Sequence, residues 1–110
     1  MEEGAAPLDA LAEAYAHALC EPTVRGLVRA AVAEGGRAPD LAQRFYEGGK
    51  GAAGDLFAAA AAREGHAEAD TGQLQGMIEH ATLMRGLVLG DDAPPARPAA
   101  EVAREALRTW

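Results

Sequence analysis

The stretch PTVRGLVRAAVAEGGRAPDLAQRFYEGG, from Pro22 to Gly49, decides the fold of this chain. Apolar residues recur at helical spacing from Val24 to Val32, and Pro22 stands where the first turn of a helix tolerates proline. The pair Gly35-Gly36 then ends this helix, and a second helix begins at Pro39. The stretch therefore predicts two helices joined by a short turn.

The rest of the chain is also rich in helix formers. About a quarter of its 110 residues are alanine, whereas β-branched and aromatic residues are scarce. We therefore expect one all-α domain over residues 1–110, a bundle of five to six helices. The predicted helices span residues 7–20, 22–34, 39–47, 50–64, 71–89 and 98–109.

Two segments rich in glycine or proline separate some of these helices. The segment EGGKGAAG, Glu47–Gly54, lacks the spacing of a phosphate-binding loop, and we interpret it as a flexible break. The segment GDDAPPARP, Gly90–Pro98, predicts a rigid linker that lets the last helix fold back. Asp70 lies three residues before Gln73 and predicts a capped start for the helix over 71–89.

The charge of the chain excludes several classes of partner. The net charge is -7, and the single lysine and nine arginines are scattered, so we expect no direct binding of nucleic acid. The one cysteine, Cys20, cannot form an internal disulfide. The N-terminal segment lacks the basic start of a signal peptide and the apolar run of a membrane span. A cytoplasmic location without membrane association is therefore the expectation.

Residues suited to catalysis are few. The chain contains no serine, and Glu13 and His17, one helical turn apart, are interpreted as a surface hydrogen bond. His66 falls in a polar loop, and Cys20 is interpreted as a small buried side chain rather than a reactive thiol. We therefore expect no enzyme activity, no catalytic residues, no metal site and no cofactor.

Two blocks of the sequence resemble the C-terminal domain of TetR/AcrR-type transcriptional regulators. The second block, QLQGMIEHATLMRGLVLG over Gln73–Gly90, is similar to the long penultimate helix of those regulators. The resemblance implies the effector-binding and dimerisation domain of a bacterial repressor, with the family's N-terminal helix-turn-helix domain absent from this chain. The residues of the first block are Leu27, Val28, Ala33, Glu34, Arg37, Pro39, Asp40, Leu41, Ala42, Phe45, Tyr46 and Gly49.

The predicted helix over 71–89 carries apolar residues around an arc of roughly 220°, wider than one core requires. We expect the side with Met77, Ala81, Met84 and Val88 to face the chain's own core. The opposite side would meet a second copy, and the resemblance implies a four-helix bundle with the last helix. The alternative is a central helix surrounded within the monomer. The predicted homodimer interface comprises Gly76, Leu83, Leu87, Val102 and Ala106.

The large or adaptable apolar side chains define a candidate pocket. Helices lined mostly by alanine can leave a gap between them, and that gap would suit a small apolar or aromatic effector. The alternatives are that these side chains only fill the core, and that the chain is a stand-alone dimerisation protein that binds no small molecule. The predicted pocket residues are Tyr15, Leu19, Phe45, Phe57, Met77, His80 and Met84.

Overall fold

A computed structural model describes residues 6–110, and within that range the chain forms seven α-helices and no strand. This confirms the predicted all-α bundle. None of the described helices has the length and apolarity that a membrane span requires. The elements are α1 (Leu8–Ala18), α2 (Pro22–Glu34), α3 (Pro39–Tyr46), a π-helical turn (Glu47–Gly51), α4 (Ala52–Arg63), α5 (Thr71–Ala81), α6 (Leu83–Leu89) and α7 (Ala99–Thr109).

The core lies between α1, α4, α5 and α7, which pack against one another. Alanines supply much of it, and their small side chains let the helix backbones approach closely. The largest apolar side chains that are fully buried among them are Phe57, Leu74 and Ile78. Outside this core, α2 packs against α3 and α6. The buried alanines are Ala12, Ala16, Ala60, Ala61, Ala99, Ala103 and Ala106.

The start of α5 and the linker before α7 follow the sequence prediction. The Asp70 carboxylate accepts a hydrogen bond from the Gln73 N–H at 3.2 Å, which confirms the predicted cap. In the linker, Gly90 has a φ of 125°, a conformation that glycine adopts without steric cost. The Ala96 N–H then donates to the Ala81 carbonyl at 3.1 Å. The last helix folds back against α1 and α5 as a result.

The segment after α3 is not the flexible break that its glycines suggested. Residues Glu47–Gly51 form a π-helical turn that leads directly into α4. Gly51 has right-handed helical angles, with φ of -63° and ψ of -45°. Glycine lowers helix propensity by only about 1 kcal/mol, so contacts with the rest of the fold can hold the turn. Here the Gln75 side chain donates to the Lys50 carbonyl at 3.3 Å.

The single helix predicted over 71–89 is also wrong, because it breaks at Thr82 into α5 and α6. Thr82 has φ of -122° and ψ of -78°, outside the helical region. Its hydroxyl donates to the Ile78 carbonyl at 2.6 Å, and its N–H bonds the Glu79 carbonyl at 3.3 Å. The Ala81 carbonyl accepts its hydrogen bond from the Ala96 N–H of the linker, so the regular hydrogen bonding of the helix stops at this point.

The break changes which side chains face the core. Leu74, Gln75 and Ile78 are the buried residues of α5. Met84 and Val88 were expected to face the chain's own core, but they are 50% and 72% exposed. The prediction failed because it continued one helical wheel through Thr82, where the backbone turns.

Arg25 on α2 is completely buried, with 0% of its surface exposed. Its guanidinium donates to the Leu19 carbonyl at 3.0 Å, at the end of α1. It also donates to the Thr82 carbonyl at 2.8 Å, at the break between α5 and α6. Two further bonds reach the Asp91 and Ala93 carbonyls of the linker, at 2.8 and 2.6 Å. One side chain therefore ties three irregular segments together through charge-assisted hydrogen bonds.

Gly86 makes room for this buried arginine. A Cβ atom added at Gly86 would lie 2.3 Å from both Cδ and Nε of Arg25. The neighbouring Arg29 donates to the Gly86 carbonyl at 2.8 Å and pairs with the Asp91 carboxylate. The contact between α2 and α6 thus depends on two arginines and one glycine.

Candidate functional site

Four polar side chains meet between α1, α5 and the π-helical turn. The Tyr15 hydroxyl donates to Oε2 of Glu79 at 2.5 Å. The Lys50 ammonium donates to both oxygens of Glu79, at 2.7 and 2.9 Å. Gln75, one turn before Glu79, bonds the backbone of Lys50. We call Tyr15, Lys50, Gln75 and Glu79 the Tyr15 network.

The Tyr15 network lies at the boundary between core and solvent. The Tyr15 ring packs edge-on against the buried Phe57 ring, with centroids 5.4 Å apart and planes at 81°. The side chains of Lys50 and Glu79 remain 33% and 21% exposed. One end of the network therefore contacts the hydrophobic core, and the other can be reached from solvent.

Burial is the main cause that raises the pKa of Tyr15 well above its ordinary value. The hydrogen bond to Glu79 and the negative charge of that carboxylate raise the pKa further. The tyrosine therefore stays protonated at neutral pH, and its hydroxyl acts as a donor. The network offers donors and an acceptor that a polar group of a small molecule could engage.

The π-helical turn and a nearby glycine build the network. The wider π turn places Lys50 towards α5, and such turns occur frequently at functional sites. Gly54 follows on α4, and a Cβ atom added there would lie 3.2 Å from Oε1 of Gln75. The glycine thus allows α4 to pack closely against the Gln75 side chain.

The seven predicted pocket residues occupy four different environments. Tyr15 belongs to the network, while Leu19 and Phe57 are buried in the core. Met77 lines a groove between α5 and α7. The exposed residues among the seven are Phe45, His80 and Met84. The structure therefore brings Tyr15 and Phe57 together, and it places the other five elsewhere in the molecule.

The groove between α5 and α7 has a volume of about 220 Å³. Met77 and Ala81 of α5 form one wall, and Val102 and Ala106 of α7 form the other. The ion pair between Arg97 and Glu105, 3.7 Å apart, lies at its edge. An apolar floor with a charged edge is a surface that another helix or a small ligand could cover.

Of the five predicted interface residues, Val102 and Ala106 line this groove, while Gly76, Leu83 and Leu87 lie on α5 and α6, where Leu83 packs partly against the chain's own core. Nothing lies within 4 Å of a Cβ atom added at Gly76. Leu83 and Leu87 are half-buried, so each keeps part of its apolar surface exposed. Val102 and Ala106 are buried in the chain's own core, with only their groove edges accessible. Their role in a dimer stays a prediction.

Lys50, Gln75 and Glu79 were not predicted as site residues from the sequence. Lys50 lies in the segment that was interpreted as a flexible break, and neither Gln75 nor Glu79 was among the candidate residues. A usable signal was present at Gln75, a polar residue on the same helical side as Leu74 and Ile78. A polar side chain in a buried row needs a hydrogen-bond partner, and this requirement leads to the network.

Two smaller predictions concern residues outside the network. Oε1 of Glu13 and Nε2 of His17 lie 3.7 Å apart on the exposed side of α1, so the pair makes a surface contact that is too long for the predicted hydrogen bond. Cys20 is half-buried against the core, and burial raises the pKa of its thiol. A raised pKa disfavours the reactive thiolate, as expected for a small packing residue.

Alkaline pH should remove part of the stability that Tyr15 contributes. Tyrosine in an unfolded chain ionises near pH 10, whereas the folded environment raises the pKa of Tyr15. Above about pH 10 the unfolded state releases this proton first, so the free energy of unfolding falls as pH rises. We expect Tyr15→Phe to cost about 1 kcal/mol near pH 8 and progressively less above pH 10. Urea denaturation of both proteins across this range measures the difference, and a pH-independent difference would contradict the prediction.

Comparison with protein families places this all-α domain in one of them. The family of AefR-like transcriptional repressor C-terminal domains matches residues 6–110. Since the match covers nearly the whole chain, the chain belongs to this TetR-type family and is a domain of a transcription regulator. The resemblance inferred from two sequence blocks is thereby confirmed. Neither the curated proteins nor the solved structures include a significant match.

Proposed function

We propose that this chain is the effector-binding and dimerisation domain of a TetR-type repressor that acts in the cytoplasm. It binds a small apolar or aromatic effector beside the Tyr15 network and has no catalytic activity of its own. This chain does not bind DNA itself, because it carries a net charge of -7, and in TetR-type regulators that role falls to a separate helix-turn-helix domain. The observation that carries the proposal is the Tyr15 network between core and solvent.

The network has the features of an adaptable binding site. The half-buried Tyr15 ring, which packs against the buried Phe57, supplies an aromatic surface, and the Tyr15 hydroxyl and Glu79 carboxylate supply groups that orient a ligand. Two large exposed aromatic side chains, Phe45 and Tyr46, precede the turn that carries Lys50. An effector that engages Glu79 would compete with Lys50 and shift the position of the turn. Binding would thereby change the population of conformations, which is how an effector signals to a distant domain.

Dimerisation is supported by the apolar surface of α6 and the groove beside it. Met84, Val88 and Leu89 are each at least half exposed, although they are large and apolar. Together with Leu83 and Leu87 they give this short helix apolar residues around most of its circumference. A contiguous apolar patch of this kind marks an interaction site, and a second copy could cover it.

The double substitution Leu83→Glu with Leu87→Glu is expected to produce a monomer. Each change would place a carboxylate without a partner in the proposed apolar interface, at a cost of several kcal/mol. Native mass spectrometry over a range of concentrations measures the assembly state directly. Circular dichroism of the same sample shows whether the variant keeps its helices.

The matched control is Leu41→Glu with Leu56→Glu, which makes the same chemical change on α3 and α4. Both leucines are exposed, at 61% and 59%, whereas Leu83 and Leu87 are half-buried, so the control tests the same chemical change on an apolar surface away from α6. The control is expected to remain a dimer. A folded dimer in the Leu83 and Leu87 variant would show that another surface forms the interface.

The same spectra test the effector site. An unmodified dimer that carries a co-purified small molecule, and a Tyr15→Phe variant that has lost it, would support binding beside the Tyr15 network. A bare dimer, combined with no binding from a panel of apolar and aromatic compounds, would favour the stand-alone dimerisation protein. An adduct that persists in both Tyr15→Phe and Lys50→Met would place the effector elsewhere in the domain.

A further inference from the structure

A cavity at one end of the bundle shares no residue with the Tyr15 network or with the groove between α5 and α7. Its volume is about 510 Å³. The start of α1, the end of α4, the connection to α5 and the end of α7 surround it. Leu8 and Leu107 give it an apolar base, and its remaining walls carry aromatic rings and carboxylates.

Two aromatic rings form one wall of this cavity. The rings of His66 and Trp110 meet edge to face, with centroids 6.0 Å apart and planes at 66°. The indole N–H of Trp110 donates to the Asp70 carbonyl at 2.7 Å. These two contacts hold the indole ring in one orientation, so its π surface is preorganised.

Two carboxylates complete the walls. Oε2 of Glu64 accepts a hydrogen bond from the Leu8 N–H at 2.7 Å. Oδ1 of Asp9 accepts one from the Ala10 N–H at 2.8 Å. Each backbone contact occupies one oxygen and fixes the direction of its carboxylate. A bound cation could therefore contact the second oxygen of each group without rearrangement of α1.

The charge of the walls favours a positive ligand. Among the wall residues that the structure describes, Asp9 and Glu64 are acidic and none is lysine or arginine. The adjacent Arg63 donates to the Ala6 carbonyl at 3.1 Å, so its guanidinium is engaged by the backbone. An aromatic surface combined with carboxylates is the arrangement that recognises organic ammonium ions.

We propose that this cavity binds a small organic cation with an alkylammonium or quaternary ammonium group. The ammonium group lies against the Trp110 indole, where the cation–π attraction acts. Asp9 and Glu64 neutralise its charge, and Leu8 and Leu107 contact its alkyl groups. This site is independent of the effector site proposed beside the Tyr15 network, since either could be occupied or absent without the other.

Choline and 3,3-dimethylbutan-1-ol provide the test, because they have the same shape and differ in the positive charge. Trp110 is the single tryptophan, so intrinsic fluorescence reports directly on the cavity. We expect choline to give a saturable fluorescence change. The neutral alcohol is expected to bind more weakly than choline by a factor of at least about ten. Isothermal titration calorimetry repeats both titrations by a method that does not depend on the indole.

Glu64→Gln tests the carboxylate and keeps an oxygen that can accept the Leu8 N–H. We expect the affinity of this variant for choline to fall by a factor of at least about five. Asp40→Asn, an equal loss of charge at an exposed position on α3, is expected to bind as the unmodified chain does. Equal binding of choline and the alcohol, no binding of choline by calorimetry, or equal weakening in both variants would overturn the proposal.

Discussion

Replacement of Arg25 by methionine is expected to cost about 3 to 5 kcal/mol of the free energy of unfolding. Methionine can fill much of the same volume, but it cannot donate hydrogen bonds. Four carbonyl oxygens, those of Leu19, Thr82, Asp91 and Ala93, would lose their charged donor. Since domains of this size are stable by only about 5 to 15 kcal/mol, the loss is a large fraction of the total.

Urea denaturation of the unmodified chain and the variant measures this effect. The matched control is Arg37→Met on the exposed side chain that pairs with Glu34, because it removes the same group from the surface. That change is expected to alter stability by less than about 1 kcal/mol. Equal, small effects of the two substitutions would show that water or a rearranged linker satisfies the four carbonyls when Arg25 is missing.

Arg25→Lys separates charge from geometry at the same site. Lysine retains the positive charge, but its single nitrogen cannot reach carbonyls on three segments that the planar guanidinium contacts at once. We therefore expect Arg25→Lys to recover only part of the loss seen with methionine. Full recovery would mean that the charge alone stabilises this region, through the carbonyl dipoles around it.

The second large effect is expected from Gly86→Ala, which should destabilise the fold by about 2 to 3 kcal/mol. The new Cβ would lie 2.3 Å from Cδ and Nε of Arg25, closer than any ordinary van der Waals contact. Hydrogen bonds on several sides hold that arginine, so it cannot simply swing away. Thermal and urea denaturation would report the loss, and a small effect would show that α2 can shift relative to α6.

A double-mutant cycle tests whether the effect of Gly86→Ala on stability changes sign when the Arg25 side chain is removed. Without the Arg25 side chain, the space beside Gly86 is free, and alanine has the higher helix propensity by about 1 kcal/mol. Gly86→Ala should therefore be neutral or stabilising in the Arg25→Ala background, although it destabilises the unmodified chain. Gly49→Ala is the control, since nothing lies within 4 Å of its added Cβ. Additive effects in the cycle would contradict the proposed clash.

The two proposed binding sites, for the effector and for the organic cation, depend to different degrees on the hydrogen bonds that Arg25 makes. The Tyr15 network uses α5 just before the break at Thr82, which Arg25 holds. Loss of Arg25 should therefore disturb the network as well as overall stability. The cavity beside Trp110 is formed by the start of α1 and the ends of α4 and α7, and it does not include the segments bonded by Arg25. Choline binding to a folded fraction of an Arg25 variant should accordingly persist.

Local sequence signals were sufficient for the order of the helices and most of their ends. The stops at Gly35-Gly36, the proline starts of α2 and α3, and the Asp70 cap act within a few residues along the chain. Such signals depend on backbone conformation and on hydrogen bonds between near neighbours. The same local information led to the family, because the first block of resemblance is itself a pattern of helix ends.

The sites were predicted less well, because their residues come from distant parts of the chain. Tyr15 and Phe57 were recognised as large side chains, but their polar partners Lys50 and Glu79 were not. The contact between Lys50 and Glu79 spans 29 positions of the chain, and the contact between Tyr15 and Glu79 spans 64. No local sequence pattern indicates such a pairing. For the same reason, the predicted pocket residues do not all lie together: Phe45 and Met84, for example, are on the exposed surface.

Helical periodicity, alanine content and end signals were therefore enough to establish an all-α bundle and its element order. The tertiary structure alone decided the break at Thr82, the continuous turn at Glu47–Gly51 and the burial of Arg25. Each of these features opposes a local preference: a helix stops without glycine or proline, glycines stay helical, and a charged side chain is buried. Long-range hydrogen bonds outweigh the local cost in each case, and their partners exist only once the helices have packed.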